Sequence, residues 1–196
     1  YGLPVLLRPT TRVCHGCASI ELLPDQQIPQ PEGFVRDPGK WVIFPRLSYE
    51  NHLKLEANLP LIGEDLSALP YNRIEGNSKA RRGVALSGVS YAYAKETPDF
   101  EAWRLLKIGT PHPFPERLAL EFLDGLDEVL VLEELDPVLE QALLQLAGQY
   151  HLPVKIRGKL SGDTRNAGEN SVESIRDDLD RFLGREPQNP PGLDDD

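Results

Sequence analysis

Methionine is absent from all 196 residues. A chain read from a translation start carries one, so the sequence is expected to be an excised or processed piece of something larger. Cysteine occurs only twice, at Cys14 and Cys17. Two thiols cannot build the disulfide framework of a small secreted fold, and a reducing, cytosolic setting is expected. No apolar run approaches the roughly 20 residues that cross a bilayer. The first residues also lack the basic-then-apolar order of a secretory signal, so no membrane partner is expected. Positive charge is scarce: 21 Lys and Arg face 31 Asp and Glu, for a net charge of −10. The densest basic group, Lys79 with Arg81-Arg82, is too short to track a phosphate backbone, so nucleic acid is not an expected partner. What is present, 40% hydrophobic and 27% charged residues, is ordinary for a soluble globular domain.

Four segments separate along the chain. Residues 1–23 read as a short strand, Pro4-Val5-Leu6-Leu7-Arg8, followed by a helix whose apolar positions are Val13, Cys17, Ile20 and Leu23. Residues 24–78 are rich in Pro, Gly and polar residues and read as a long connection. Within it lie a strand-like WVIFP and a helical stretch around Leu47 to Leu66. Residues 79–184 are the most regular. Short apolar runs recur at Val84-Ala85-Leu86, Leu105 to Ile108, Val129 to Leu132 and Val154-Lys155-Ile156. Helical patterns with start signals lie between them: Pro113 and Pro115 before Leu118, Asp136-Pro137 as N-cap and N1 before Leu139, and Asn170-Ser171-Val172-Glu173 as a capping box before Ile175. Strand and helix alternating through short connections imply a mainly parallel sheet, hence a three-layer α/β/α domain. Residues 185–196 read as a Pro- and Asp-rich linker.

Few constellations in this chain carry chemistry. Cys14-His15-Gly16-Cys17 has the spacing of half a zinc site or of a redox dithiol, but a structural zinc wants four ligands and no second pair exists. His52, His112 and His151 stand alone. Two small residues on a helix are the simpler reading, since free cysteine packs like a small hydrophobe. Gly162-Asp163-Thr164 with Asn166 and Asn170 is a distant likeness to the thiamine diphosphate motif. Its second glycine is Thr164 and its asparagines come too soon, so it reads as a polar loop. Glu133-Glu134-Leu135-Asp136 sits at the carboxyl end of a strand, where open α/β sheets place their sites. Paired carboxylates there can do acid–base work or hold a metal. Equally, they can meet the positive end of the next helix, with Asp136 as its cap. Ser87-Gly88 and Gly109-Thr110 are strand-to-helix turns that lack the spacing of a phosphate loop. With Glu133 they mark a docking edge, and a free-standing Rossmann-like module holding a nucleotide or CoA there is the alternative reading.

The stretches PVLLRPTTRVCH, FVRDPGKWVIFP, GVALSGVSYAYAKE, LLKIGTPHPFPERL, EVLVLEELDPVLE and GENSVESI follow one another in this order. In that order the chain resembles the middle region of the alpha subunits of indolepyruvate ferredoxin oxidoreductases, within the 2-oxoacid:ferredoxin oxidoreductases. The resemblance implies a parent enzyme using thiamine diphosphate, Mg²⁺ and iron–sulfur clusters, with ferredoxin and a partner subunit as its partners. It implies that residues 79–184 are similar to the C-terminal domain of transketolase, and that residues 1–23 close a pyrimidine-binding thiamine domain. The family's activating glutamate and its diphosphate motif lie outside the matched stretches, so no catalytic residue, cofactor or metal ligand carries over. Thr11, Arg12 and His15, in the TTRVxH segment, are implied neighbours of the parent's site.

Overall fold

The structure is a computed structural model that describes residues 1, 3–22, 24, 30 and 33–187. Leu23 and the linker beyond residue 187 lie outside the described residues. The chain divides into two compact units, Tyr1–Asn58 and Leu59–Asp196.

In the first unit the expected strand over Pro4 to Arg8 does not form, and Val5, Leu6 and Leu7 are more than 90% exposed. An apolar run becomes a strand only when a ladder takes up its backbone groups, and the flanking Pro4 and Pro9 remove two donors. Helix α1 is a single turn, Thr11–His15. Thr10 Oγ1 accepts from Val13 N, and the Gly16 N–H closes the turn on Val13 O at 3.3 Å. The helix therefore stops short of Cys17 and Ile20, against expectation. WVIFP is not a strand either. Asp37 accepts from Gly39 N and Lys40 N, and Pro38 at N1 sets up helix α2, Pro38–Trp41. The expected helix around Leu47 to Leu66 is α3, Pro45–Ser67.

The second unit holds a five-stranded sheet made of β1 (Arg73–Gly76), β2 (Arg82–Ser87), β3 (Arg104–Ile108), β4 (Glu128–Leu132) and β5 (Lys155–Arg157), in the spatial order β1-β3-β2-β4-β5. Strands β2 to β5 run parallel, and β1 is an antiparallel edge beside β3. The four apolar runs of the sequence fall on these parallel strands. The runs on β2, β3 and β4 are nearly continuous because both faces of the sheet are covered there, whereas edge strand β5 alternates. Ala85, Leu106, Val129 and Val131 face α5 (Glu116–Leu123) and α6 (Val138–Gln149). Val84, Leu86, Leu105, Leu130 and Leu132 face α4 (Val89–Lys95) and α7 (Val172–Leu183). The expected three-layer α/β/α arrangement is thus present. Gly83 permits the close seat of α5, since a Cβ there would lie 2.7 Å from the Phe122 ring.

Strand β1 falls inside the stretch read as a connection. RIEG is short and alternates charge with a single apolar residue, Ile74, which packs on the α5–α6 side. Two helix starts also differ from expectation. The N-cap of α6 is Pro137 and not Asp136, which makes no capping bond. The box that opens α7 joins Ser171 to Ser174, one position beyond Glu173.

Candidate functional site

The chain leaves β2 for α4 on one face of the sheet and leaves the neighbouring β4 for α6 on the other. The carboxyl ends of β2 and β4 therefore flank the reversal point at which an open α/β sheet offers a ligand crevice. Ser87 ends β2 and Gly88 follows it, Glu133 follows β4, and Gly109 follows β3 on the far side of β2. The fold brings these candidates to the heads of three adjacent strands.

Glu133 and the Gly109-Thr110 turn are tied to the protein itself. Glu133 is 5% exposed. Its Oε2 accepts from Leu139 N at 2.8 Å and its Oε1 from Glu140 N at 3.0 Å. A carboxylate from β4 thus takes the capping place expected of Asp136, because it reaches the free N–H groups of α6 end-on. Burial raises the Glu133 pKa, while the two backbone donors pull it down, Glu140 adds to the rise and Lys159 opposes it. Beside it, Glu134 Oε1 accepts from Asn170 N at 2.9 Å, and Asn170 Nδ2 donates to the buried Ser90 Oγ at 2.9 Å. The segment entering α7 is laced in this way across the heads of β2 and β4. At β3, Gly109 N and Thr110 N both donate to Asn72 Oδ1, at 2.7 and 3.1 Å, and Asn72 Nδ2 donates to Leu66 O at 2.8 Å. Gly88 alone faces open space, in a backbone conformation (φ 56°, ψ −140°) that suits glycine.

A second buried set braces β5. Glu140 Oε2 accepts from Leu160 N at 3.0 Å, and a Cβ on Gly158 would lie 2.7 Å from the Glu140 carboxylate. Lys159 is buried and donates to Arg165 O. Asn72, Glu140 and Lys159 had no sequence signal, because a lone polar residue does not reveal that its partners arrive from other elements.

Thr11, Arg12 and His15 share the single turn of α1, and Cys14 and Cys17 are exposed free thiols. Among the described residues no group of three or more His, Cys, Asp or Glu is arranged to hold a metal ion. The residues of the 162–170 stretch do not fit thiamine diphosphate with Mg²⁺. Asp163 is bound by Arg157 and Ser161, which hold its carboxyl below the usual range, and Asn170 is bound by Ser90. Nor do the residues present fit an iron–sulfur cluster, which takes about four cysteines where this chain has two.

No family model matches the chain. It is 34% identical over 207 residues to indolepyruvate oxidoreductase subunit IorA of Methanothermobacter thermautotrophicus, an alignment covering 98% of this chain and 34% of that protein. The subunit IorA of Pyrococcus horikoshii is 36% identical over 171 residues, covering 81% of this chain and 26% of that protein. The chain is IorA-like. The IorA of Thermococcus kodakarensis is 36% identical over 163 residues, covering 79% of this chain and 25% of that protein. This IorA-like chain thus spans about a quarter to a third of the length of these curated relatives. A free-standing nucleotide or CoA module is not favoured by these likenesses.

No helix among the described residues is long and apolar enough to cross a membrane.

Proposed function

We propose that this chain serves as a structural and docking domain within an indolepyruvate:ferredoxin oxidoreductase subunit, whose chemistry is carried by other parts of the enzyme. The parent reaction is oxidative decarboxylation of an aryl 2-oxoacid. In that reaction carbon dioxide leaves, the acyl group is joined to CoA, and the electron pair goes to ferredoxin. Thiamine diphosphate with Mg²⁺, held by neighbouring thiamine-binding domains, would supply the carbanion chemistry. Thr11, Arg12 and His15 lie beside the parent's site in this reading, and residues 79–184 hold neighbouring domains and the partner subunit in place.

One observation carries the proposal. At the reversal point of the sheet, the carboxylate best placed for chemistry, Glu133, has both oxygens committed to the start of α6. A group spent on holding a helix favours a positioning role for this part of the molecule. Calorimetric titration of the 196-residue chain with thiamine diphosphate and Mg²⁺ tests it. No saturable binding is expected, and micromolar affinity overturns the proposal.

A further inference from the structure

Tyr91, in the first turn of α4, gathers more positive charge than the fold uses. Lys107 Nζ lies 4.7 Å from the centre of its ring, Arg73 Cζ 5.4 Å and Lys95 Nζ 5.7 Å. Three elements supply these cations. Arg73 on β1 is the register partner of Lys107 on β3, and Lys95 lies one turn along α4 from Tyr91. The ring is only 9% exposed. Its hydroxyl accepts from Arg73 Nη2 at 2.7 Å and donates to Glu75 at 3.0 Å. Glu75 also pairs with the Arg73 guanidinium.

That single carboxylate answers Arg73. Among the described residues neither Lys95 nor Lys107 has a carboxylate within ion-pair reach. One cation over an aromatic face is enough for a cation–π contact, and three on one ring repel one another. The surplus stands out in a chain of net charge −10, whose general field repels acidic molecules. A local reversal of sign of this kind selects and orients a partner of the opposite charge.

We propose that the Arg73–Lys95–Lys107 patch around Tyr91 is a docking surface for a carboxylate-rich protein. The two lysines are flexible point charges on separate elements, which suits diffuse pairing with several carboxylates. The group best built for bidentate anion capture, the Arg73 guanidinium, is already held by Glu75 and Tyr91. The patch lies on the β1 side of the sheet, and it stands whether or not the parent reaction proposed above is the right one.

Fluorescence anisotropy with labelled poly-L-glutamate at low salt, on the 196-residue chain, tests the proposal. Gln keeps the methylene cover over Tyr91, so the double variant Lys95→Gln/Lys107→Gln retains the wild-type melting temperature and binds the probe about tenfold more weakly. A control with the same change in net charge, Lys54→Gln/Lys79→Gln, binds as the wild type does. Carbodiimide coupling links the probe to Lys95 or Lys107 ahead of Lys54 or Lys79. The proposal is overturned by absence of wild-type binding, or by equal weakening in the two double variants. Displacement of the probe by millimolar inorganic phosphate at constant ionic strength also overturns it, in favour of a small-anion site.

Discussion

Asn170 and Ser90 meet side chain to side chain at 2.9 Å, although 80 positions separate them. Both are buried. The bond fastens the segment that leads into α7 to the first turn of α4, while the backbone N–H of Asn170 goes to Glu134 beyond β4. One residue thus spans the heads of β2 and β4, where a ligand would otherwise sit.

Replacing Asn170 by Ala leaves the Ser90 hydroxyl buried without its donor. An unsatisfied buried polar group costs about 1–3 kcal/mol. Chemical denaturation of Asn170→Ala is expected to show a loss of that size with an unchanged denaturant slope. The companion Asn170→Ala/Ser90→Ala recovers part of it, because both ends of the bond are then gone. A single variant as stable as the wild type would show that the contact does not hold the loop.

Glu133 offers a sharper distinction between a carboxylate that caps and one that reacts. Gln in its place presents an amide N–H₂ to one of two backbone donors, so one of the bonds from Leu139 N or Glu140 N is lost. Glu133→Gln is expected to destabilise the domain by about 1–3 kcal/mol. Amide exchange at Leu139 and Glu140 quickens, with smaller effect at the far end of α6. Unaltered exchange at these two amides would remove Glu133 from the capping role.

How far the sequence foretold these features depends on where each side chain finds its partners. The strands β2, β3 and β4 were readable because both sheet faces bury most of their residues, which leaves apolar runs, and β5, at the sheet edge, showed only the alternation Val154-Lys155-Ile156. A capping box at the start of α7 was readable because its bonds close within one turn, although it joins Ser171 to Ser174, one position beyond the expected Asn170 and Glu173. The capping role at α6 was misplaced because Asp136-Pro137 has the local form of a cap, while Glu133 caps the same helix from farther up the chain. Pro4 to Arg8 has strand-like composition without a ladder. Asn72 and the cations around Tyr91 gave no local signal at all. Their meaning arises only when β1, β3 and α4 are brought together, and β1 itself is too short and too charged to read as a strand.

Leu135 follows the Glu133–Glu134 pair with φ 58° and is 73% exposed. An L-residue in the left-handed region carries a backbone cost of about 1 kcal/mol that glycine does not. The exposed side chain recovers little of it by burial. Leu135→Gly is therefore expected to raise stability, by a margin reduced somewhat by the extra freedom of glycine in the unfolded chain. A higher melting temperature for Leu135→Gly than for the wild type, with no gain for Leu135→Ala, checks this. A loss in both variants would mean that the leucine side chain holds the loop.

Asp178 on α7 sets a pH dependence. It is 3% exposed. Burial pushes its pKa from 3.8 up to about 6, although Arg181 pairs with it and Arg165 acts in the same direction as Arg181; Asp177 adds to the rise. The unfolded chain releases this proton near 3.8. Below that pH the group is protonated in both states and costs nothing. Between the two values the unfolded chain ionises first, so the native state loses stability as pH rises. Above about 6 the penalty is complete, at about 3 kcal/mol for a shift of about two units. Asp178→Asn removes the titration and leaves Arg181, whose side chain is 42% exposed, to be solvated. The variant's stability relative to wild type is therefore expected to climb between pH 4 and 6, in the window set by those two values, and to level off beyond it. Parallel denaturation free energies for the two proteins across that range would show that the buried carboxyl does not titrate as its surroundings dictate.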